Sequence, residues 1–272
     1  MPLPDPQQVI DIVRDTAEKT ILPRFRRLAD EDISEKSPGD IVTIADVESE
    51  QRLEAALTKL VPGSRCVGEE AAENNPDVLR LLDGEAPVWV IDPLDGTRNF
   101  ANGRSPFAVI VAYCLGGETL MGWIHNPVSG DMVWAGRGQG AWDGNGERRY
   151  ISPPVAVSAM KGSLSKAGAS KIVGAKGAPR HISRVGCVGQ DYLDLSSGAL
   201  HFARYAVTLK PWDHAAGVLI HQETGGYSCL VRSGKPYTPV LDADTARSDM
   251  EVLMMTPDIE SWKQLASMLG DL

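Results

Sequence analysis

The segment 88–100 constrains the fold of this chain more than any other. It reads Val-Trp-Val-Ile-Asp-Pro-Leu-Asp-Gly-Thr-Arg-Asn-Phe, so an apolar run meets two aspartates, Asp92 and Asp95, without a break. The run predicts a buried strand, and Pro93 and Gly96 predict a tight turn just beyond its end. Two carboxylates crowded at the end of a buried strand repel each other unless a positive charge lies between them.

A divalent cation is a common partner for such a pair of carboxylates. Mg²⁺ binds oxygen ligands and often takes them from aspartate or glutamate. Gly96 and Thr97 then leave backbone N–H groups where a helix can begin, which is a favourable place for phosphate. The same residues also fit a plain turn in which an aspartate caps a helix. The rest of the chain has to decide between these two interpretations.

Length and composition describe an ordinary globular protein. With 272 residues, 43% of them hydrophobic and 23% charged, the chain can form one large domain or two tightly joined halves. The net charge of −9 predicts no binding to nucleic acid or to a membrane surface, since both need a basic face. No apolar run approaches the ~20 residues that a membrane span needs. The N-terminus has no basic region followed by an apolar one, so we expect no signal peptide.

The cysteines point to a reducing compartment. Cys66, Cys114, Cys187 and Cys229 are far apart and form no Cys-x-x-Cys pair. This spacing does not fit a zinc site, and a disulfide framework is unusual in a chain of this length. We therefore expect reduced thiols and a cytoplasmic location.

Hydrophobic periodicity gives a coarse map of the first half. A helix is predicted over residues 5–29, ended or kinked by Pro23, and a second helix over 47–60 with Asp46 as its cap. Further strands are predicted at 66–70, 107–115, 120–125 and 132–135, with a hairpin turn at 143–146.

The second half has a different pattern, in which short strands alternate with helices. The strands are predicted near 172–174 and 204–209, and the helices near 180–200 and 214–224. This alternation predicts an α/β layer packed beside an antiparallel α+β first half. We place the boundary near residue 145. Residues 1–145 then carry most of the acidic clusters, and residues 146–272 form the second half.

Four acidic clusters lie at the edges of apolar segments rather than on a charged helix face. They are Asp40/Asp46, Glu69/Glu70, Asp92/Asp95 and Asp213. Each cluster alone is more often a helix cap or a solvated turn than a set of ligands. Spacing along the chain does not show whether the clusters meet in the fold.

The clusters belong to motifs that occur together and in order. The motifs are Asp40-x-Val-Thr-x-Ala-Asp46, Gly68-Glu69-Glu70, Trp89-Val-Ile-Asp92-Pro-Leu-Asp95-Gly-Thr97-x-Asn99-Phe100, Trp212-Asp213-x-Ala-Ala-Gly217 and Glu223-x-Gly-Gly226. Together they closely resemble the inositol monophosphatase family of Mg²⁺-dependent, lithium-sensitive phosphatases, from about residue 8 to residue 265. The resemblance implies a five-layer α-β-α-β-α sandwich of the sugar phosphatase type, between the α+β and α/β classes, and a homodimer.

The resemblance also implies a site with two to three Mg²⁺ ions. One ion is implied on Glu69, Asp92 and the Leu94 carbonyl, and a second on Asp92, Asp95 and Asp213. Asp92 would bridge the two ions, and a third, weaker site would lie near Glu69.

The implied reaction is attack of a metal-activated water on a phosphate monoester. The implied catalytic residues are Glu69, Thr97 and Asp46, and the implied phosphate- and substrate-binding residues are Asp95, Gly96, Thr97 and Asp213. Phosphate monoesters are very slow to hydrolyse, and paired metal ions neutralise charge on both the attacking and the leaving oxygen. We expect attack by water in line with the leaving group, without a phosphoenzyme.

Two departures from the family pattern fall where the leaving alcohol is recognised. Members that act on inositol phosphates commonly carry a glutamate seven residues before the Trp-Asp aspartate, and here Ala206 takes that place. Its loss removes a charge-assisted hydrogen bond to substrate hydroxyls. The usual Gly-Ser/Thr-Ala segment reads Gly186-Cys187-Val188. We therefore expect a small phosphorylated polyol or sugar as substrate and leave the alcohol open.

Several alternatives remain. A 3′(2′),5′-bisphosphate nucleotidase, a fructose-1,6-bisphosphatase or a histidinol phosphatase would use the same metal chemistry on a different alcohol. A regulatory binding protein that keeps the fold and acts through RNA or a polymerase is a different class, which the intact ligand set and the charge of −9 disfavour. His214 and His221 are expected to be structural, because hard cations prefer oxygen ligands.

Overall fold

A computed structural model describes residues 3–37, 40–206, 208–240 and 251–270. For Ser37 and Asp40 it describes the backbone alone, so the Asp40 carboxylate of the first acidic cluster lies outside the described part. Within these ranges the chain forms eight α-helices and fourteen strands. None of the described helices is both long and apolar enough to cross a membrane.

The elements are as follows, in chain order. The helices are α1 (Pro6–Thr16), α2 (Ile44–Leu60), α3 (Glu69–Asn74), α4 (Thr97–Ala101), α5 (Lys166–Ile172), α6 (Val188–Ser197), α7 (Pro211–Glu223) and α8 (Ile259–Leu269). The first strands are β1 (Ile33–Ser37), β2 (Asp40–Thr43), β3 (Arg65–Gly68), β4 (Val88–Asp95), β5 (Ala108–Leu115), β6 (Glu118–His125), β7 (Met132–Gly136), β8 (Gly140–Asp143) and β9 (Arg148–Arg149). The others are β10 (Lys161–Ser163), β11 (His181–Ser183), β12 (Phe202–Tyr205), β13 (Tyr227–Leu230) and β14 (Leu253–Thr256).

Two sheets and three groups of helices form five alternating layers. A seven-stranded sheet has the order β3-β4-β5-β6-β7-β8-β9, and a five-stranded sheet has the order β11-β10-β12-β14-β13. Helices α1 and α2 pack on the outer face of the larger sheet, and α6 and α7 lie between the sheets. Helices α5 and α8 cover the outer face of the smaller sheet. This α-β-α-β-α order confirms the predicted fold class.

Strand β4 is buried on both of its faces. Trp89 and Ile91 belong to the core shared with α1 and α2, whereas Val88 and Val90 belong to the core shared with α6 and α7. A strand covered on both sides has a continuous apolar sequence rather than an alternating one. This explains why the run before the two aspartates predicts a buried strand.

The turn after this run differs from the prediction. β4 does not end at Ile91 but continues through Asp95, with an irregular register against β5 between Asp92 and Asp95. The irregularity accommodates Pro93, which has no N–H group to donate to a ladder. Both aspartates therefore lie on the strand itself, on a backbone that β5 holds in place.

The boundaries of the first two helices are also corrected. Helix α1 ends at Thr16 and a π-helical turn continues to Ile21, so helical structure stops just before Pro23 and does not reach residue 29. Helix α2 has Thr43, not Asp46, as its N-cap. Asp46 is the third residue of the helix, and its carboxylate accepts the Thr43 N–H in a capping box.

The second half corrects three predicted elements. Residues 172–174 are the end of α5 and the loop beyond it rather than a strand, with Ile172 buried as the last helical residue. The helical pattern over 180–200 consists of two elements, β11 and α6. The strand predicted at 204–209 is β12, which ends at Tyr205. A short apolar run does not distinguish a strand from the buried end of a helix.

The two sheets draw on different parts of the chain but share a core. The larger sheet uses strands from residues 65–149, and the smaller sheet uses strands from residues 161–256. Helix α7 packs directly on β6, because a Cβ added at Gly122 would lie 2.7 Å from Ala216 Cα. The predicted division into halves at residue 145 stays a prediction.

Candidate active site

Gly96 makes the turn between β4 and α4. Its φ of +87° lies in the left-handed region, which favours glycine. A Cβ added there would also meet the Cys187 Cβ and the Pro106 carbonyl oxygen, each at 3.2 Å. The turn therefore sets Asp95 and Thr97 on either side of a backbone position that has no room for a side chain.

Thr97, the first residue of α4, reaches two oxygen acceptors. Its Oγ1 lies 3.0 Å from Asp46 Oδ1 and 3.0 Å from the Leu94 carbonyl oxygen. Thr43 holds the other oxygen of Asp46, since its N–H and its Oγ1 donate to Asp46 Oδ2 at 2.8 and 2.6 Å. Burial raises the pKa of Asp46, and the donors Thr43 and Thr97 oppose the rise. The structure thus brings together Thr97 and Asp46, the pair that the sequence predicts.

Asp95 is held by groups from the second half of the chain. Its Oδ2 accepts the Gly189 N–H at 2.5 Å and the Cys187 thiol at 3.0 Å, both at the start of α6. Burial raises the pKa of Asp95, and these donors oppose the rise. Burial and the Asp95 carboxylate raise the pKa of the Cys187 thiol well above its usual range, so the thiol keeps its proton. The sequence predicts a role for this segment in leaving-group recognition, and the structure puts Cys187 against a predicted metal ligand instead.

Four carboxylates from three parts of the fold act on one another. Glu69 begins α3, Asp92 and Asp95 lie at the end of β4, and Asp213 lies in the first turn of α7. Burial raises the pKa of Asp92 well above its usual range, and repulsion from the other three carboxylates raises it further. Burial and Asp95 raise the pKa of Asp213 to about 8, against the opposing effect of Lys210. The four predicted acidic ligands therefore lie near enough for the charge of some to raise the pKa of others.

Lys36, on β1, binds a row of three glutamates. Its Nζ lies 2.7 Å from Glu70 Oε1, 2.8 Å from Glu73 Oε2 and 3.5 Å from Glu69 Oε1. Burial lowers the pKa of Lys36, but the glutamates outweigh burial and raise the pKa overall. Burial raises the pKa of Glu69 well above its usual range, with Lys36 opposing the rise and Asp213 adding to it. Lys36 therefore neutralises negative charge at the Glu69 side of the acidic group and makes no ion pair with Asp92, Asp95 or Asp213.

The oxygen atoms of these carboxylates are the type of ligand that a hard divalent cation prefers. In the described part of the chain no Lys or Arg nitrogen lies within 4.0 Å of Asp92, Asp95 or Asp213. Their side chains do not converge on one point, because no three His, Cys, Asp or Glu among the described residues form a ready-made metal cluster. A cation would relieve the repulsion that raises these pKa values, and the carboxylates would have to turn towards it.

Sequence reasoning missed the contacts that fix this region from a distance. The Asn99 side-chain amide donates to the Pro106 carbonyl at 2.8 Å and to the Val185 carbonyl at 2.9 Å, which ties α4 to the loop before α6. Cys187 is also absent from the predicted metal, catalytic and phosphate-binding residues. Asn99 belongs to one of the family motifs, and Cys187 lies where the sequence differs from the family pattern. Neither observation predicts a contact with a residue so distant along the chain.

The two histidines of α7 make contacts inside the protein. His214 Nδ1 lies 3.0 Å from the Tyr192 hydroxyl, and burial lowers the pKa of His214 to about 3. His221 Nε2 lies 3.1 Å from the Thr256 carbonyl oxygen, and burial lowers the pKa of His221 to about 4. Both rings are therefore neutral at physiological pH and are bonded within the core.

Known proteins match this chain over most of its length. The sequence model described as the inositol monophosphatase family matches residues 5–255. The inositol-1-monophosphatase of Caulobacter vibrioides is 31% identical over 221 residues, which cover 74% of this chain and 80% of that protein. The fructose-1,6-bisphosphatase/inositol-1-monophosphatase of Aquifex aeolicus is 30% identical over 232 residues, which cover 78% of this chain and 80% of that protein.

Solved structures share the fold. The Thermotoga maritima IMPase has a TM-score of 0.79 at 24% identity and covers 96% of this chain and 95% of its own. The extragenic suppressor protein SuhB of Bartonella henselae has a TM-score of 0.77 at 23% identity, with coverages of 96% and 98%. At these identities the likeness concerns the fold alone.

The layered fold and the matching sequence motifs define a phosphoric monoester hydrolase, so the chain is an enzyme of that class. It belongs to the inositol monophosphatase family, which confirms the resemblance seen in the sequence. The family is generally metal-dependent and acts on phosphorylated substrates such as inositol phosphate.

The raised pKa of Asp213 predicts how the stability of the metal-free protein depends on pH. A carboxyl with a folded-state pKa of about 8 and an ordinary value of 3.8 favours folding at low pH, and that contribution is lost as pH rises through about 8. We expect the free energy of unfolding in chelator to fall between pH 5 and 8. Asp213→Asn should remove at most about 1.4 kcal/mol of that fall for each pH unit.

Denaturant unfolding at several pH values measures this effect. The exposed Asp77 provides a control, since Asp77→Asn should leave the pH dependence of the parent unchanged. A pH dependence that is equally steep in Asp213→Asn and in the parent would contradict the prediction.

Proposed function

We propose that this enzyme is a Mg²⁺-dependent phosphomonoesterase that acts on a small phosphorylated polyol or sugar, with inositol monophosphate as the first candidate. The observation that supports this most is the grouping of Glu69, Asp92, Asp95 and Asp213, whose pKa values burial raises. Repulsion from neighbouring carboxylates adds to the rise at Glu69, Asp92 and Asp213. Buried and half-buried carboxylates that repel one another suit a site completed by divalent cations. Membership of the family supplies the reaction class.

The chain offers oxygen ligands for two to three Mg²⁺ ions. Glu69, Asp92 and the Leu94 carbonyl would hold one ion, Asp92, Asp95 and Asp213 would hold the second, and a third would bind more weakly near Glu69. Bound ions of this kind neutralise charge on the attacking and leaving oxygens and make a water ligand more acidic. The Leu94 carbonyl accepts from Thr97 and keeps a second lone pair for a cation.

Thr97 and Asp46 would orient the attacking water and take up its proton. Because Thr43 fixes Asp46 Oδ2, the remaining Oδ1 faces the Thr97 hydroxyl at 3.0 Å. Burial raises the pKa of Asp46, which is not one of the proposed metal ligands, and a carboxylate with a raised pKa is a better proton acceptor near neutral pH. We therefore assign Thr97 to orientation and Asp46 to proton transfer, alongside Glu69, which the family resemblance implies.

The phosphate would bind at the turn between β4 and α4. The amides of Gly96 and Thr97 would donate to it, as backbone N–H groups at the start of a helix do for anions. Asp95 and Asp213 would face the substrate from the side of the metal ions. Water would attack in line with the leaving alcohol, so no phosphoenzyme forms.

Other properties are proposed from the family resemblance. They are a homodimer and inhibition by lithium. A cytoplasmic location is proposed from the spacing of the cysteines, and the absence of a nucleic-acid or membrane partner from the net charge. The net charge of −9 supports the absence of a nucleic-acid partner, because phosphate backbones attract basic surfaces.

We expect Asp92→Asn to lower kcat for inositol 1-phosphate by about a thousandfold. Asp92 would bridge two cations, and loss of several kcal/mol of transition-state stabilisation corresponds to a factor of that size. Phosphate release with and without Mg²⁺, and in chelator, measures the effect. The parent should lose its activity in chelator and recover it with Mg²⁺.

Asp143→Asn is the matched control, because Asp143 is a buried aspartate that binds the turn at Asn145 rather than the site. It should keep kcat within a few-fold of the parent. Activity that survives chelation would contradict a metal mechanism, and parental turnover in Asp92→Asn would remove Asp92 from its bridging role.

The surroundings of Lys210 support a second candidate substrate, a sugar bisphosphate. Lys210 is half-buried, and its Nζ lies 5.1 Å from the ring centre of Trp212. Both residues line a cavity of about 780 Å³ that extends to Lys36 and Glu70. Among the described residues, no carboxylate oxygen lies within 4.0 Å of the Lys210 ammonium. A second phosphate on the substrate would supply the missing negative charge.

Ala206 also supports a sugar bisphosphate as substrate. It lies exposed just after β12, where the family pattern for inositol phosphates has a glutamate. An alanine neither binds ring hydroxyls nor repels an anionic group. The name of the Aquifex aeolicus relative, which joins fructose-1,6-bisphosphatase to inositol-1-monophosphatase, fits an enzyme able to take both kinds of substrate.

We expect Lys210→Met to raise KM for fructose 1,6-bisphosphate about tenfold or more and to leave KM for fructose 1-phosphate unchanged. Hydrogen bonds to charged groups contribute about 1.5–3 kcal/mol, which corresponds to that change in affinity. Methionine keeps an apolar stem over Trp212 and removes the charge. Steady-state kinetics on the two sugars, which differ by one phosphate, make the comparison.

Lys263→Met is the control, since Lys263 lies on α8 and pairs with Glu260. Its kinetic constants should equal those of the parent for both sugars. An equal rise in KM for both sugars in Lys210→Met would mean that Lys210 does not select for the second phosphate.

A further inference from the structure

We propose that Cys187 is a positioning residue for the metal site. Its thiol and the first amides of α6 hold one oxygen of Asp95, so that Asp95 presents only its other oxygen to a cation. The part of this proposal that concerns a cation rests on the proposed function. The part that concerns the fixed carboxylate rests on contacts within the protein.

Asp95 Oδ2 is engaged by two donors from one short segment. The Gly189 N–H donates to it at 2.5 Å and the Cys187 thiol at 3.0 Å. Asp95 is 8% exposed and Cys187 is 3% exposed, so solvent competes little for this contact. The Val188 and Gly96 N–H groups also donate to this carboxylate. Together these donors fix the rotation of the group, and with Oδ2 held by the thiol and the Gly189 amide, Oδ1 is the oxygen that we assign to a cation.

Two glycines make this close approach possible. A Cβ added at Gly189 would lie 2.7 Å from Ala108 Cβ and 3.2 Å from Asp95 Oδ2. A Cβ added at Gly96 would lie 3.2 Å from Cys187 Cβ. A side chain at Gly189 would push the start of α6 away from β5, and a side chain at Gly96 would be strained by its φ of +87° and crowd Cys187. The sequence is thus adapted to this contact on both sides.

Asn99 holds the same segment from the other side. Its side-chain amide donates to the carbonyls of Pro106 and Val185, at 2.8 and 2.9 Å. The loop leading to Cys187 is therefore anchored to α4 before it reaches Asp95. This anchoring means that the thiol is presented to Asp95 at a fixed place rather than by a mobile loop.

The alternative is that Cys187 only fills space, and three substitutions at this position separate the two roles. Cys187→Ser keeps a donor, Cys187→Val keeps apolar volume without a donor, and Cys187→Ala removes both. If Cys187 positions Asp95, Cys187→Ser should behave like the parent, and Cys187→Val and Cys187→Ala should both differ from it. If Cys187 only fills space, Cys187→Val should behave like the parent and Cys187→Ala should differ from it.

Hydrogen exchange of the Gly189 amide in the metal-free full-length protein is the first measurement. This amide shares Asp95 Oδ2 with the thiol, so loss of the thiol should free the carboxylate to rotate and speed exchange at Gly189. We expect exchange about tenfold faster in Cys187→Val and Cys187→Ala, and near the parental rate in Cys187→Ser. Thermal unfolding of each variant verifies that it is folded.

Mn²⁺ binding followed by electron paramagnetic resonance is the second measurement, with Mn²⁺ as the probe for the divalent site. We expect the dissociation constant to rise about tenfold in Cys187→Val and Cys187→Ala, which is the lower end of the usual cost of losing a partner of a metal ligand. Cys187→Ser should bind within about threefold of the parent.

Cys114→Val is the matched control, because Cys114 is a fully buried cysteine on β5 that contacts Thr119. It should change neither measurement. Parental exchange at Gly189 and parental Mn²⁺ affinity in Cys187→Val would overturn the role of Cys187. A parent protein that binds no Mn²⁺ while the exchange rates separate as expected would instead contradict the proposed function.

Discussion

Four acidic groups, Glu69, Asp92, Asp95 and Asp213, lie close enough to repel one another, and the packing around them has to hold them in place. Burial and this repulsion raise the pKa of Asp92 well above its usual range and that of Asp213 to about 8. Of the four, only Glu69 has a Lys or Arg nitrogen within 4.0 Å among the residues that the structure describes. Buried charge of one sign costs stability when no counter-charge is present, so the surrounding fold has to hold these groups together.

The fold holds the four acidic groups together through close packing of the elements that carry them. Strand β4 is covered on both faces and pairs with β5 up to Asp95, across the irregular register near Pro93. Helix α7, which carries Asp213, lies against Tyr192 of α6, since a Cβ at Gly217 would lie 2.1 Å from its ring. The start of α6 in turn grips Asp95. The acidic groups are therefore fixed by the larger sheet and by the layer of helices that lies between the two sheets.

Much of this could be predicted from the sequence, for identifiable physical reasons. A strand buried on both faces has an unbroken apolar run, so β4 could be predicted from the sequence. The family motifs implied that Glu69, Asp92 and Asp213 share one metal site. Spacing alone could not do this, because it does not show which turns converge. The strand predicted near 172–174 was wrong because the end of a buried helix has the same short apolar pattern. The grip of Cys187 on Asp95 spans 92 residues, and no local pattern encodes a contact of that kind.

We propose that these carboxylates bind cations and are partly protonated without them. Calorimetric titration of Mg²⁺ into metal-free protein at pH 7, repeated in buffers of different ionisation enthalpy, counts the protons released on binding. With a pKa of about 8 at Asp213, the account predicts release of about one proton or more per chain at pH 7, and a smaller release above pH 8. Binding of Mg²⁺ without proton release, or no binding at all, would contradict it.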